Sequence, residues 1–277
     1  MGQSLSILKT LFSFLFIATI SGLLVILINV RSFAMINHPQ AVISPKHSER
    51  VGEQGRIRLG TGEEGFTFNQ GLIASSFPTP KAHKLPSSLA QWQDNTKSGD
   101  YFSEVRKIPV GYLIWSQFPI RIHISTPKLT NITQAQAWVN TVSQAIAEWN
   151  NYLPLEIVSQ ENLADIQIIR QAPPLKFDRK LKIPRARSAQ GTYNLYTQNN
   201  ILYQRSQILI SPSQTGKYLL AAARHELGHA LGIWGHSPQP SDALYFSQVR
   251  NPPLVSPRDV NTLKLIYQQP TSLGWSF

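Results

Sequence analysis

RHELGHALGIWGH (residues 224–236) holds three of the chain's seven histidines within thirteen residues, with one glutamate beside the first and glycines between the second and the third. The lead-in KYLLAAARHELGHALG predicts a helix with two faces. Leu220, Ala223, Leu227 and Leu231 form an apolar stripe, and Tyr218, Ala222, His225 and His229 form a second one. Residues four apart on a helix are turned by only about 40° from each other, so the imidazoles of His225 and His229 point the same way. His236 lies eleven residues beyond His225, which on a continuing helix is about 16 Å along the axis and out of reach of a shared ion. The helix must therefore stop and the chain fold back. Gly232 permits the left-handed backbone that ends helices, and Gly235 offers a second permissive point.

Three neutral imidazoles leave a tetrahedral zinc one open position for water, which is the arrangement of a catalytic site. Zinc acidifies that water, and Glu226 on the same helix is placed to take its proton and hand it to a leaving amine. His225, His229 and His236 are thus the expected zinc ligands and Glu226 the expected general base. Five fixed positions, HExxHxxGxxH, occur by chance in a chain of this length on the order of once in a hundred thousand.

The wording HELGHALGIWGHS (residues 225–237) resembles the extended zinc motif of the metzincin peptidases and is most similar to the matrixin branch and its bacterial relatives. The resemblance extends over residues 108–269 and implies an α+β catalytic domain. Its parts are a mixed twisted sheet, an active-site helix, a C-terminal helix and a substrate cleft above the zinc, with an edge strand pairing the peptide backbone. It also implies a methionine turn beneath the zinc ligands, where SDALYF offers Leu244 or Tyr245 instead. A loop over residues 245–256 would shape the substrate subsite. The propeptide cysteine that silences matrixins has no counterpart, since the chain contains no cysteine. Structural calcium is poorly supported, because Glu148, Glu156, Glu161, Asp165 and Asp178 form no dense cluster.

The surrounding text fits such a domain. FPIRIHIS (residues 118–125) alternates Ile120, Ile122 and Ile124 with Arg121 and His123, the pattern of a strand with one buried face. A helix follows with Trp138, Val142, Ala145, Ile146 and Trp149 at helical spacing, and Thr133 with Gln136 reads as its capping box. LPLEIV, ADIQII, QGTYNLYT and RSQILIS read as further strands. SPRDVNTLKLIYQQ reads as the C-terminal helix, with Ser256 as N-cap, Pro257 at the first position and Asp259 closing the box. KFDRKLKIPRAR (residues 176–187) carries six basic residues against one acid and reads as a solvated loop or an anion-contacting patch.

The 277 residues carry 26 Lys+Arg against 15 Asp+Glu, a formal charge of +11, so anionic partners stay open, although no nucleic-acid-binding motif appears and no nucleic acid is expected. LFSFLFIATISGLLVILINV (residues 11–30) runs without a charge. That is long enough to cross a bilayer, whereas the apolar part of a cleavable signal is about 7 to 15 residues. The expected organisation is a signal anchor or signal peptide over residues 1–34, a largely irregular linker or pro-segment over 35–107, and a zinc metallopeptidase domain over 108–277. The leading expectation is a zinc endopeptidase acting on protein or peptide outside the cytoplasm, held to the cell membrane by a single pass or secreted. Two readings stay open beside it: a catalytically inactive zinc-containing module that binds envelope polymer, and a zinc amidase acting on a non-protein amide such as wall peptide. Oligomeric state is not specified by the sequence.

Overall fold

Ile120, Ile122 and Ile124 lie on one side of an extended chain, and a sheet forms where two more strands of the same pattern bury their isoleucines beside them. The computed structural model describes residues 57–59, 77–178 and 182–277, and the described residues fall in one compact unit. Its strands are β1 (Ile57–Leu59), β2 (Ile120–Ser125), β3 (Leu155–Ile157), β4 (Ile166–Arg170), β5 (Lys176–Asp178), β6 (Ile183–Arg185), β7 (Ala189–Gln198) and β8 (Ile201–Ile210). Six of them form one mixed sheet in the order β1-β7-β8-β4-β2-β3, while β5 and β6 make a separate antiparallel hairpin. β2, β3, β4 and β8 run parallel, with Ile122 opposite Ile166 and Ile168 opposite both Ile124 and Ile208. β7 returns antiparallel to β8 through Asn199 and Asn200, both at positive φ, as a two-residue hairpin turn requires.

The helices are α1 (Ser87–Gln91), α2 (Ile132–Asn150), α3 (Gly216–Ala230) and α4 (Pro257–Tyr267). Trp138, Val142, Ala145, Ile146 and Trp149 of α2 are buried as their spacing predicts, in one core with the sheet isoleucines and with Leu219, Ala223 and Leu227 of α3. Leu219 takes the buried position expected of Leu220, which is only partly covered. The cap of α2 also differs from expectation: Asn131 accepts from the Gln134 N–H, so the helix begins two residues earlier than a box on Thr133 and Gln136 would set it. The box on α4 forms as read, with Ser256 and Asp259 bonding each other's backbone N–H and Pro257 in the first turn.

Part of the expected linker belongs to the core. Leu89, Tyr101 and Val105 are buried with the sheet and helices, and the Trp92 indole donates to Asn261 of α4 at 2.9 Å. Residues 77–107 therefore do not form a tether. Their proline-rich composition hides isolated apolar residues that pack against α4, and a periodicity argument misses them because they sit on a five-residue helix and in irregular chain. Among the described residues no helix is long and apolar enough to cross a membrane; residues 11–30, where the anchor is expected, lie outside them.

Candidate metal centre

α3 delivers the site because of where it stops. Its C-cap is Leu231, followed by Gly232 at φ 135°; the Gly232 N–H bonds the His229 carbonyl at 3.0 Å and the Ile233 N–H bonds the Gly228 carbonyl at 3.0 Å. This pair of bonds is the Schellman arrangement, and it turns the chain back on itself. Gly235 serves a different end from the one its sequence suggests. Its φ is not in the left-handed range; a Cβ there would overlap the Glu104 carbonyl and crowd Val105. Close backbone approach, rather than a turn, makes it glycine. Gly235→Ala should push residues 233–236 off this neighbour, costing about 1–3 kcal/mol by the usual scale of overpacking. Thermal unfolding and metal content together check it, because the same shift displaces His236.

The fold-back brings His225, His229 and His236 together, with one ligand atom from each all within 4.8 Å of one another. Their orientation follows from the bonds on the far side of two rings. His225 Nδ1 lies 2.9 Å from the Ala243 carbonyl oxygen, and His229 Nδ1 lies 2.6 Å from the Ile233 carbonyl oxygen. Carbonyls only accept, so both Nδ1 atoms carry the proton and, in neutral rings, both Nε2 atoms are bare. Those two bare nitrogens face each other at 3.1 Å. Two lone pairs at that distance repel unless a cation stands between them. Burial among protein atoms, although part of the His225 edge stays open, moves its imidazole down to about 4, with the neighbouring His236 adding to the fall. Burial, then the charges of His225 and His236, holds His229 well below its ordinary value. A proton is therefore a poor candidate for that cation and a metal ion a good one. Three nitrogen donors with an open side suit zinc, for which bonds of about 2.0–2.1 Å place two ligands at roughly the separation of the facing pair.

Glu226 is buried beside the trio and points toward the sheet. Burial raises its carboxyl to about 7, while the Gly191 N–H and the charge of Arg187 oppose the rise. Gly191 lies in β7, and a Cβ there would meet the Glu226 Oε2 at 3.1 Å. A glycine inside a strand is the one sequence signal that pointed to this contact, since it marks a close approach. The other supporting groups left no such trace. Asp259, read as a helix cap, also accepts from the Ala243 N–H at 2.9 Å and from the Tyr101 hydroxyl at 2.5 Å. Ala243 in turn holds His225, so the start of α4 fixes an imidazole it never touches. Of the two residues offered for the methionine turn, Leu244 is the one beneath α3: it is fully buried, and a Cβ on Gly228 would run into it. Tyr245 instead lines the cleft.

The histidines and Glu226 open onto a cleft of about 800 Å³. Its floor is α3, one wall is the start of β7 with the β5–β6 hairpin, and the other is the loop over residues 245–253. Arg224, 3% exposed, ties floor to wall: its guanidinium pairs with Glu148 of α2 and donates to the Pro253 carbonyl at 2.6 Å. The basic stretch over residues 176–187 is thus not a plain loop. Residues 176–178 pair with residues 183–185 as β5 and β6, and Lys176, Arg185 and Arg187 line the cleft.

No protein-family model matches the chain, and no curated protein matches its sequence. Among solved structures it is similar to high choriolytic enzyme 1, a hatching enzyme zinc-protease from Oryzias latipes (medaka fish). The two share 13% identity, the match covers 68% of this chain and 98% of that one, and the TM-score is 0.30.

Proposed function

We propose that this chain is a zinc-dependent endopeptidase of the metzincin type, with His225, His229 and His236 holding the metal and Glu226 acting as general base. One observation carries the reading: two imidazoles whose Nδ1 atoms are committed to backbone carbonyls turn bare nitrogens toward each other at 3.1 Å, with a third histidine alongside, on the floor of an open cleft. Zinc, when bound, supplies the Lewis acidity that activates a water and polarises a carbonyl. Glu226 takes the proton of the attacking water and passes it to the leaving amine nitrogen, and its raised carboxyl is suited to both halves of that transfer. Leu244 replaces the methionine of the resembling family at nearly equal volume, a swap that cores tolerate.

The start of β7 is suited to hold the substrate. Farther along, its outer edge already takes an antiparallel strand, with Ile57 opposite Leu195 and Leu59 opposite Tyr193. Residues 189–191 continue that edge along the cleft, where an extended peptide would add as a strand in the same way. An inert zinc module needs no buried carboxylate beside its ligands, which favours catalysis over that reading. We place the enzyme outside the cytoplasm, tethered or exported by residues 11–30. The test is zinc content and casein hydrolysis by the purified chain: about one zinc per chain and turnover of casein are expected. A zinc-replete protein that leaves casein and other unfolded proteins intact would contradict the endopeptidase assignment.

A further inference from the structure

Arg224 stands immediately before the first histidine of the trio. Successive residues on a helix are turned by about 100° from each other, so its side chain leaves the side of α3 that faces the metal and points to α2. A guanidinium only donates, and a buried donor without a partner is costly. Nε and Nη2 go to the two carboxylate oxygens of Glu148 as a fork, with Nη2 2.9 Å from Oε1, and Nη1 donates to the Pro253 carbonyl.

Pro253 belongs to the outer wall of the cleft, which Val249 and Pro252 also line. Residues 246–255 carry no helix or strand, so no ladder of backbone bonds fixes them. Pro252 and Pro253 lack an N–H, and this part of the wall can be held through its carbonyls alone, which suits a donor side chain. The bonds that reach the loop are unequal. Gln248 donates to Gln214 at 3.3 Å in an exposed contact, where water competes, whereas the bond from Arg224 is charged and its donor is buried. A hydrogen bond to a charged group shifts an equilibrium by roughly tenfold to a hundredfold, and a neutral one by much less. The backbone at residue 224 is secured separately: the Trp149 indole donates to its carbonyl at 2.9 Å, so α3 keeps its seat on α2 when the side chain changes.

We propose that Arg224, oriented by Glu148, is the positioning residue that seats the outer wall of the cleft, and that it governs how tightly an extended peptide is held rather than the hydrolytic step. The inference rests on the peptidase reading above. Arg224 touches neither the converging histidine nitrogens nor Glu226 through its guanidinium, whose donors are committed to Glu148 and Pro253. Loss of the clamp frees the wall and leaves the floor in place.

The experiment uses the full chain loaded with zinc and compares the parent with Arg224→Met, Arg224→Lys and Glu148→Gln. Three quantities are read: KM and kcat on one fluorogenic peptide, zinc content, and the rate at which trypsin cuts after Arg250, an exposed residue of the same loop, with the cut identified by mass. Met keeps the apolar stem and removes every donor. It should raise KM about tenfold and lower kcat by less than about threefold, with zinc unchanged. Cutting at Arg250 should quicken about tenfold, since a loop released from its anchor opens more often. Lys keeps the charge without the fork and should fall between parent and Met. Glu148→Gln leaves one acceptor for the fork and should raise KM about threefold. A fall in kcat or in zinc content with KM and Arg250 cutting unchanged would place Arg224 in the chemistry or the metal centre and overturn the inference. Unchanged KM and unchanged cutting in Arg224→Met, or in Glu148→Gln should the first variant not fold, overturn it as well. Absence of turnover by the parent chain overturns the peptidase reading, while cutting at Arg250 still decides whether Arg224 seats the wall.

Discussion

Replacing Glu226 by Gln is expected to lower casein hydrolysis by a factor of about 10²–10⁴, the usual contribution of a positioned general base, with zinc content unchanged. The substitution isolates a single capability. Gln has the same shape and keeps a carbonyl oxygen to accept the Gly191 N–H, so the packing against β7 survives. Glu226 is not among the three residues whose donors converge, so the metal should remain. What is lost is the capacity to take up a proton. A buried carboxylate is costly to keep charged, so the variant should unfold at the same temperature as the parent or slightly above it. Unchanged hydrolysis by the variant would refute the role given to Glu226, and loss of zinc together with activity would make it a structural prop of the site.

Removal of zinc by a chelator should abolish hydrolysis and lower the melting temperature on the order of 10 °C, with both restored by added zinc. Ligand binding at a thousand times its dissociation constant stabilises a fold by about 4 kcal/mol, and for a domain of this size each kcal/mol moves the transition by about 2–4 °C. The local reason is the facing pair of nitrogens. Without a cation, His225 and His229 hold two lone pairs 3.1 Å apart, and their Nδ1 bonds to Ala243 and Ile233 prevent either ring from turning to relieve the repulsion. Those carbonyls belong to the turn below α3 and to the chain just past its end, so the strain reaches the segment that carries His236. Calorimetry with and without chelator reads this directly. A melting temperature indifferent to chelator and to zinc would mean that the trio does not bind metal.

The convergence of the three histidines was legible in the sequence because helical periodicity and a glycine stop are short-range properties. Four residues of helix place His229 over His225, and a glycine at position 232 ends the helix whatever the rest of the chain does. The strands of β2, β4, β7 and β8 were legible for the same reason, their alternation being written within a few residues. Where several local signals competed, as at the caps of Asn131 and Thr133 or the burial of Leu219 and Leu220, small offsets separate expectation from structure.

Other features depended on chain segments far apart in sequence. Nothing near Gly235 shows that Glu104 will lie against it, and nothing near Asp259 shows that its carboxylate will hold Ala243 and, through it, His225. Burial of Leu89, Tyr101 and Val105 is invisible in a segment without periodicity, because the apolar partners that cover them lie more than a hundred residues downstream in α4. The charge of residues 176–187 could be read, but only the pairing of β5 with β6 and the edge of β7 decide that Lys176, Arg185 and Arg187 border the cleft. By itself the sequence determined which atoms can bind a metal and on which helix they ride, since that chemistry is local. Only the tertiary structure decided what holds those atoms in place and what surrounds the cleft they face, since those contacts arise from long-range packing.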